Sequence, residues 1–327
     1  MKVFVSGATG FIGIQLVKRL LTQGDTVHAL YRSDAKADLI RLPGVRLFKG
    51  DILDPPSLLH AMKECNQAYH TAAFAGVWSK DPSLVFRLNV DGALNVIEAA
   101  RLSGTDRVVI TSTAGILGPS DAVPVDETTP PPSSFFTRYE ASKFQLEQQL
   151  LGRREGNPEV VLVNPTRVYG PGYLSESNGV TRMIRQYLEG KWKFVPGDGR
   201  SSGNYVHVED VVSGHLLAMQ KGKAGERYIL GGDHISYLQL FQYIREAGGI
   251  EYRLFRVPLW TMLAVAYLMK GISALTGSSP LIVPGLVRKF NHNWFVSSDK
   301  AIRELGYQAR SAREGIKQTV QWIQNNN

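Results

Sequence analysis

The chain has 327 residues, 43% hydrophobic and 20% charged, with a formal net charge of +8; this suits a soluble globular protein with a large core split into two lobes. Its one cysteine, Cys65, excludes an intrachain disulfide framework and any multi-cysteine metal site, and no metal is expected. The basic residues are scattered, without a run of five or an interleaved aromatic ladder, so a solvated basic surface is expected and a nucleic-acid partner is not.

Met1-Lys2 leads straight into "VFVSG", a strand and glycine turn where a signal peptide would place its apolar stretch, so a reducing, cytoplasmic setting is expected. "FIGIQLVKRLLTQG" has helical spacing and stops at Gly24. "TVHALYR" and "VRLFKGD" read as the second and third strands, "LLHAMKECN" as a short helix and "QAYHTAA" as the fourth strand. "NVDGALNVIEAARLSG" is a long helix closed by Gly104, "RVVITST" a fifth strand, and "EVVLVNP" a further one. Strands alternating with helices in short connections predict an α/β fold: a doubly wound parallel (Rossmann) sheet with a smaller, mainly C-terminal substrate lobe. The expected boundaries are 1–165, with 204–231, for the dinucleotide-binding domain, and 166–203 with 232–327 for the lobe.

"SGATGFIG" places Gly7, Gly10 and Gly13 between the first strand and the first helix. Gly7 permits the tight turn, Gly10 lets backbone N–H groups approach a pyrophosphate, and Gly13 lets helix and strand pack closely. Thr9, Phe11 and Ile12 share that turn and are counted to the cofactor site. At the end of the second strand, an acidic residue would hold the ribose of NAD. Here "LYRSDAK" offers Arg32 and Lys36, which suit a 2′-phosphate, with Asp34 beyond the strand; NADP is favoured over NAD.

"RYEASKFQLE", residues 138–147, reads as helix and puts Tyr139 and Lys143 on one face. A phenol of pKa about 10 is a poor base at neutral pH. An ammonium about 4 Å away, at an effective dielectric near 20, favours phenolate by roughly 4 kcal/mol, about three pKa units. Tyr139 could then take or give a proton near pH 7. A surface Tyr–Lys pair is the plain alternative.

"SGATGFIG", "KGDILD", "HTAA", "NVDGALNVIEAA", "ITSTAG", "YEASK", "NPTRVYGPG" and "NYVHVEDVV" follow in that order. Together they resemble the extended short-chain dehydrogenase/reductases, the NAD-dependent epimerase/dehydratase family, over nearly the whole chain, weakening over roughly residues 235–290. The resemblance implies that Asp51 and Ile52 line the adenine pocket, that Ala72 and Ala73 lie along the cofactor, and that Lys143 bonds the nicotinamide ribose. It implies Pro165, Thr166 and Val168 at the nicotinamide end. It makes Thr113 the hydroxyl partner of Tyr139, so the catalytic set is Thr113, Tyr139 and Lys143. It also implies a homodimer through the helices starting at Asn89 and Tyr139; Asn89 itself reads as a structural or cofactor-side contact.

Three departures bear on the reaction. Ala114 and Gly115 stand where the 4,6-dehydratases of this family carry an acidic pair. Arg167 replaces the Asn of "NVYGP", and Gly203 replaces an Arg that clamps pyrophosphate, although Arg200 lies nearby. The chain therefore looks most like the dihydroflavonol reductase and 3β-hydroxysteroid dehydrogenase branch. An NADP-dependent reductase of a ketone or aldehyde on an apolar or aromatic small molecule is expected, with Phe74, Trp78, Thr113, Arg167 and Tyr169 along the substrate. A sugar-nucleotide epimerase is the first alternative, and a cofactor-binding regulator without turnover the second. "VPLWTMLAVAYLM", residues 257–269, is an apolar run stopped by Lys270; lobe core is the first reading. Trp260, Tyr267, "LIVPGLV" and Trp294 are expected to line the pocket. Flanking cations raise a peripheral membrane contact as the alternative.

Overall fold

The computed structural model describes residues 1–326 apart from 77, 154–155 and 175–177, and of Asp121 the backbone alone. Seven parallel strands form the main sheet: β1 (Lys2–Ser6), β2 (Thr26–Tyr31), β3 (Val45–Lys49), β4 (Gln67–His70), β5 (Arg107–Thr111), β7 (Glu159–Pro165) and β11 (Arg227–Leu230). Their order is β11-β7-β5-β4-β1-β2-β3. The order reverses between β1 and β4, and that switch point is where a doubly wound sheet opens a ligand crevice.

The inner strands are apolar on both faces because both faces are covered, whereas edge strand β3 has no buried residue. Val3, Val5, Val109, Val161 and Val163 pack under α1 (Phe11–Thr22) and α8 (Val208–Lys221). The alternate residues Phe4, Val108, Ile110, Val160 and Leu162 pack under α3 (Pro55–Met62), α5 (Gly92–Leu102) and α6 (Arg138–Leu150). The strands expected from "QAYHTAA" and "RVVITST" end early, at His70 and Thr111, and the residues after them turn out into the crevice. The long helix begins earlier than its sequence suggested. α4 (Pro82–Phe86) runs through a π-helical turn at Arg87–Asp91 into α5.

The lobe is built on β8 (Arg167–Tyr169), β10 (Ser202–His207) and β12 (Asp233–Ser236), ordered β12-β10-β8. Ile184, Tyr187, Tyr205, Leu240, Phe241, Ile316 and Val320 fill its core, between α7 (Gly179–Leu188), α9 (Tyr237–Gly248) and α13 (Ala312–Asn325). β10 pairs with β8 and β12, and α8, which follows it from Val208, packs against the main sheet. α12 (Asp299–Leu305) also returns to pack on α8 and β11.

The apolar run at 257–269 departs from expectation twice. Lys270 does not stop it: α10 spans Leu259–Thr276 and ends where Gly277 takes φ +68°. Nor is it lobe core, since only Met262, Ala266 and Ser273 of α10 are buried. Trp260 and Leu281 are 72% and 87% exposed and line nothing, Tyr267 is half exposed, and Trp294 is buried.

Candidate active site

The crevice at the switch point is shaped by backbone. Gly7 turns out of β1 at φ +71°, and a Cβ there would lie 2.4 Å from the Ala72 amide nitrogen. A Cβ on Gly13 would lie 2.1 Å from the Gly7 carbonyl oxygen. Gly10 donates its N–H to that oxygen at 2.8 Å and caps α1 without any side-chain bond. The first-turn N–H groups of Phe11, Ile12 and Gly13 thus stand at a positive helix end with no side-chain cap, beside half-buried Thr9. The Ala72 backbone stands against Gly7, and Ala73 after it is exposed. A pyrophosphate fits such a cradle because no side chain occupies it.

At the outer end of β2, Arg32 is 73% exposed, with Nη1 3.7 Å from Asp51 Oδ2, an exposed pairing that fixes little. Asp34, which lay close enough in sequence to oppose a phosphate, pairs with Lys49 instead, and that bond holds its carboxyl below the usual range. Lys36 is exposed, its ammonium 5.9 Å from the Tyr173 ring centre. Asp51 Oδ1 accepts the Leu53 N–H at 2.9 Å, and buried Ile52 lies over Gly92.

Tyr139 and Lys143 rise one turn apart on α6, which opens with a capping box between Thr137 and Glu140. Lys143 is fully buried and donates to the Thr111 carbonyl at 2.8 Å. Burial pushes its ammonium down to about 8, against the pull of Glu147. The phenol of Tyr139 does not follow the sequence expectation. Burial, with Glu140 beside it, pushes it up rather than down. The side chain is nonetheless only partly buried. A phenol that stays protonated is an acid, ready to give a proton to a carbonyl oxygen. Thr113, at the end of β5, accepts the Gly115 N–H at 3.1 Å through its hydroxyl oxygen and keeps its own hydrogen to donate.

Behind this set lies a layer of which sequence reasoning singled out Asn89 alone. Asn164 donates to Glu147 at 2.6 Å and to the Thr113 carbonyl at 3.2 Å, and Glu147 pairs with Arg227 at 3.1 Å. His215 Nδ1 bonds the Val211 carbonyl, so its Nε2 accepts the Thr111 hydroxyl hydrogen at 2.7 Å. Asn89, in the π-helical turn, accepts the Phe74 N–H at 2.7 Å and donates to the Phe74 carbonyl and Ser142. Glu140 pairs with Lys289 of α11 (Pro284–Lys289) and so ties the lobe to the helix that carries Tyr139. Two of these were readable: "TRYE" is a capping box, and Glu147 lies one helical turn after Lys143.

On the substrate side, Phe74 and Trp78 are half-buried in the loop after β4. Pro165 is buried at the end of β7, Thr166 bonds Asn204 at 2.7 Å, and Val168 packs against the sheet core. Tyr169 does not join them: it is buried, its hydroxyl lies 3.4 Å from the Ala312 carbonyl, and its ring fills the space over Gly315. Arg167 and Gly203 prove to be one feature. A Cβ on Gly203 would lie 2.4 Å from Arg167 Nη1, so the missing side chain is the room the guanidinium occupies.

A glycine cradle at the switch point with a Tyr–Lys helix beside it marks a dehydrogenase/reductase of the extended short-chain type, dependent on a nicotinamide dinucleotide. The chain belongs to the NAD dependent epimerase/dehydratase family, whose model matches residues 3–231. It is 31% identical to the putative dihydroflavonol 4-reductase of Synechocystis, over 98% of this chain and 94% of that one. It is 28% identical to the 2-alkyl-3-oxoalkanoate reductase of Stenotrophomonas maltophilia, over 97% of this chain and 98% of the relative. The crystal structure of gox2253 is similar with a TM-score of 0.84 at 32% identity, covering 99% of this chain and 98% of that one.

Proposed function

We propose that the protein reduces a ketone or aldehyde on an apolar or aromatic small molecule, with NADPH as hydride donor and Tyr139 as general acid. The observation that carries this is the Tyr139 phenol, only partly buried and one helical turn from the fully buried Lys143 on α6. Gly7, Gly10 and Gly13 would hold the pyrophosphate, Arg32 and Lys36 the 2′-phosphate, and Lys143 the nicotinamide ribose. Bound there, the dinucleotide supplies a hydride. Thr113 holds the substrate oxygen by its free hydroxyl hydrogen, and Tyr139 delivers the proton to that oxygen. The 2′-phosphate reading is supported by exposed Arg32 and by the engagement of Asp34 with Lys49. The reductase reading is supported by two relatives that are themselves named reductases.

The test is a panel of aromatic ketones, aldehydes and sterol ketones assayed for NADPH consumption, beside UDP- and dTDP-sugars assayed for isomer conversion. Net NADPH use on the first panel is expected. Sugar conversion without NADPH use would contradict the proposal. That second reading, an epimerase, is favoured by one observation: Arg167 puts a guanidinium back into the space that Gly203 leaves. We also propose a homodimer through the helices beginning at Asn89 and Tyr139, which light scattering of the purified protein would check.

A further inference from the structure

Arg167 is a deep-set cation without a carboxylate partner among the described residues. Its Nη1 donates to the hydroxyls of Tyr205 and Tyr237 at 3.1 and 3.2 Å, and the guanidinium lies 5.4 and 5.7 Å from their ring centres. Its Nε and Nη2 N–H groups have no acceptor among the described residues, while the side chain keeps part of its surface open. Both tyrosine hydroxyls accept from Arg167, and with one donating to the other a single hydroxyl hydrogen stays free. The cluster is thus rich in donors and poor in acceptors. A cation set so deep is costly unless something pairs with it. A relay of neighbours links the cluster to α6. Tyr237 packs on Phe290 at 5.9 Å, and Phe290 follows Lys289, the partner of Glu140, which adjoins Tyr139. Thr166, expected at the nicotinamide end, immediately precedes Arg167.

We propose that Arg167, framed by Tyr205 and Tyr237, is a carboxylate-binding subsite, and that the substrate is an oxo acid whose carbonyl meets Tyr139 while its carboxylate sits on the guanidinium fork. This rests on the reductase reading above. A pyrophosphate shares the anionic chemistry, so the test separates the two. Wild type, Arg167→Gln and Arg167→Lys are assayed for NADPH consumption with a medium-chain 3-oxo acid and its methyl ester. The same variants are titrated by fluorescence with the matching 3-hydroxy acid and with UDP. A lost charged hydrogen bond of roughly 1.5–3 kcal/mol corresponds to about 10- to 150-fold. Arg167→Gln should raise KM for the acid by that factor, raise it far less for the ester, and weaken the hydroxy acid as much as the acid. Arg167→Lys should recover only part of it. Equal losses on acid and ester, or Arg167-dependent binding of UDP instead of the hydroxy acid, would overturn the subsite. If neither acid nor ester turns over while the hydroxy acid still binds through Arg167, the reductase reading fails and the subsite stands.

A separate observation concerns α10. Its outward face carries Trp260, Val265, Tyr267, Leu268, Ile272 and Leu275, each 47–89% exposed, and Lys270 is the helix's one charge. Its mean hydropathy is 1.4, with 17% of its residues buried, and among the described residues it is the one helix long and apolar enough to cross a membrane. An ordinary surface helix presents polar residues outward. From Tyr252 to Ser298 the chain has no Asp or Glu, while Arg253, Arg256, Lys270 and Arg288 are exposed around this face. Arg288 also donates to the Tyr267 hydroxyl at 2.6 Å. Apolar and aromatic side chains ringed by cations complement an anionic bilayer surface.

The geometry points to α10 as an in-plane anchor on anionic lipid. Vesicles of phosphatidylcholine with phosphatidylglycerol should co-sediment the protein and shift its tryptophan emission to the blue, and pure phosphatidylcholine should do so at least tenfold less. Leu268→Glu with Leu275→Glu should lower partitioning at least tenfold at unchanged melting temperature, and Arg253→Gln with Arg256→Gln should weaken it on anionic vesicles. No sedimentation with anionic vesicles would overturn the anchor. So would a dimer, seen by light scattering, that the two glutamates dissociate, because a second copy would then cover this face.

Discussion

The parallel sheet and the lobe that closes over it hold their functional groups by different means. In the glycine cradle the neighbours of Gly7 and Gly13 are backbone atoms, 2.4 and 2.1 Å from where a Cβ would stand. Backbone there cannot yield without moving β1 or α1. In the lobe, the neighbour of Gly203 is the far end of a side chain, Arg167 Nη1. That end can swing away. A cradle built from main chain tolerates one sequence; a wall built from side chains can trade a cation between strands and keep its fold. The cofactor half should therefore break on substitution, and the lobe should change what it binds.

The largest effect is expected in the cradle. Gly13→Ala should cost several kcal/mol, as overpacking against immovable backbone does, and should abolish nicotinamide-dinucleotide binding; a melting curve and a cofactor titration would show both. Next comes Tyr139→Phe, which should lower turnover by about 10²–10⁴-fold while leaving cofactor affinity nearly intact. Retention of more than about a tenth of the rate would remove Tyr139 from the acid role. Arg32→Ala should weaken NADPH by roughly 10- to 150-fold and NADH hardly at all; equal loss for both would mean that Arg32 never meets a 2′-phosphate.

Acid should erode the sheet side at a smaller scale. Burial holds His215 at about 4 and His70 at about 3, below the ordinary 6.5. The unfolded chain takes up these protons first as pH falls, so their contribution is complete above about pH 6.5 and is lost on the way down to about 4. Melting temperature should fall across that window, less steeply in His215→Asn. The smallest stability change belongs to the lobe. Gly203→Ala should shift stability by under about 1 kcal/mol, because the Arg167 tip gives way, yet should alter substrate KM.

How much of this could be read from the sequence follows the same division. "SGATGFIG" announced its cradle because close backbone approach allows only glycine, and the alternating apolar strands announced the covered sheet. Tyr139 and Lys143 could be placed on one helix face from their spacing. The height of the phenol's pKa could not, because it depends on burial contributed by residues far away in sequence. Nor could the π-helical turn at Asn89, which local composition does not mark. Arg167 and Gly203 looked like two independent losses, since residues separated along the chain reveal their shared space only when β8 and β10 pair. α10 misled for a related reason: an apolar run has the same appearance whether protein or something else covers it.

The central claim is that hydride leaves the dinucleotide for good and a proton from Tyr139 completes an alcohol. The most direct measurement is single-turnover reaction with NADPH deuterated at the transferable position, with the product read by mass spectrometry. The account predicts one deuterium in the alcohol product, one NADP formed per product, and product formation about 10²–10⁴-fold slower in Tyr139→Phe. Deuterium that never leaves the cofactor pool while a sugar nucleotide changes its configuration would contradict it.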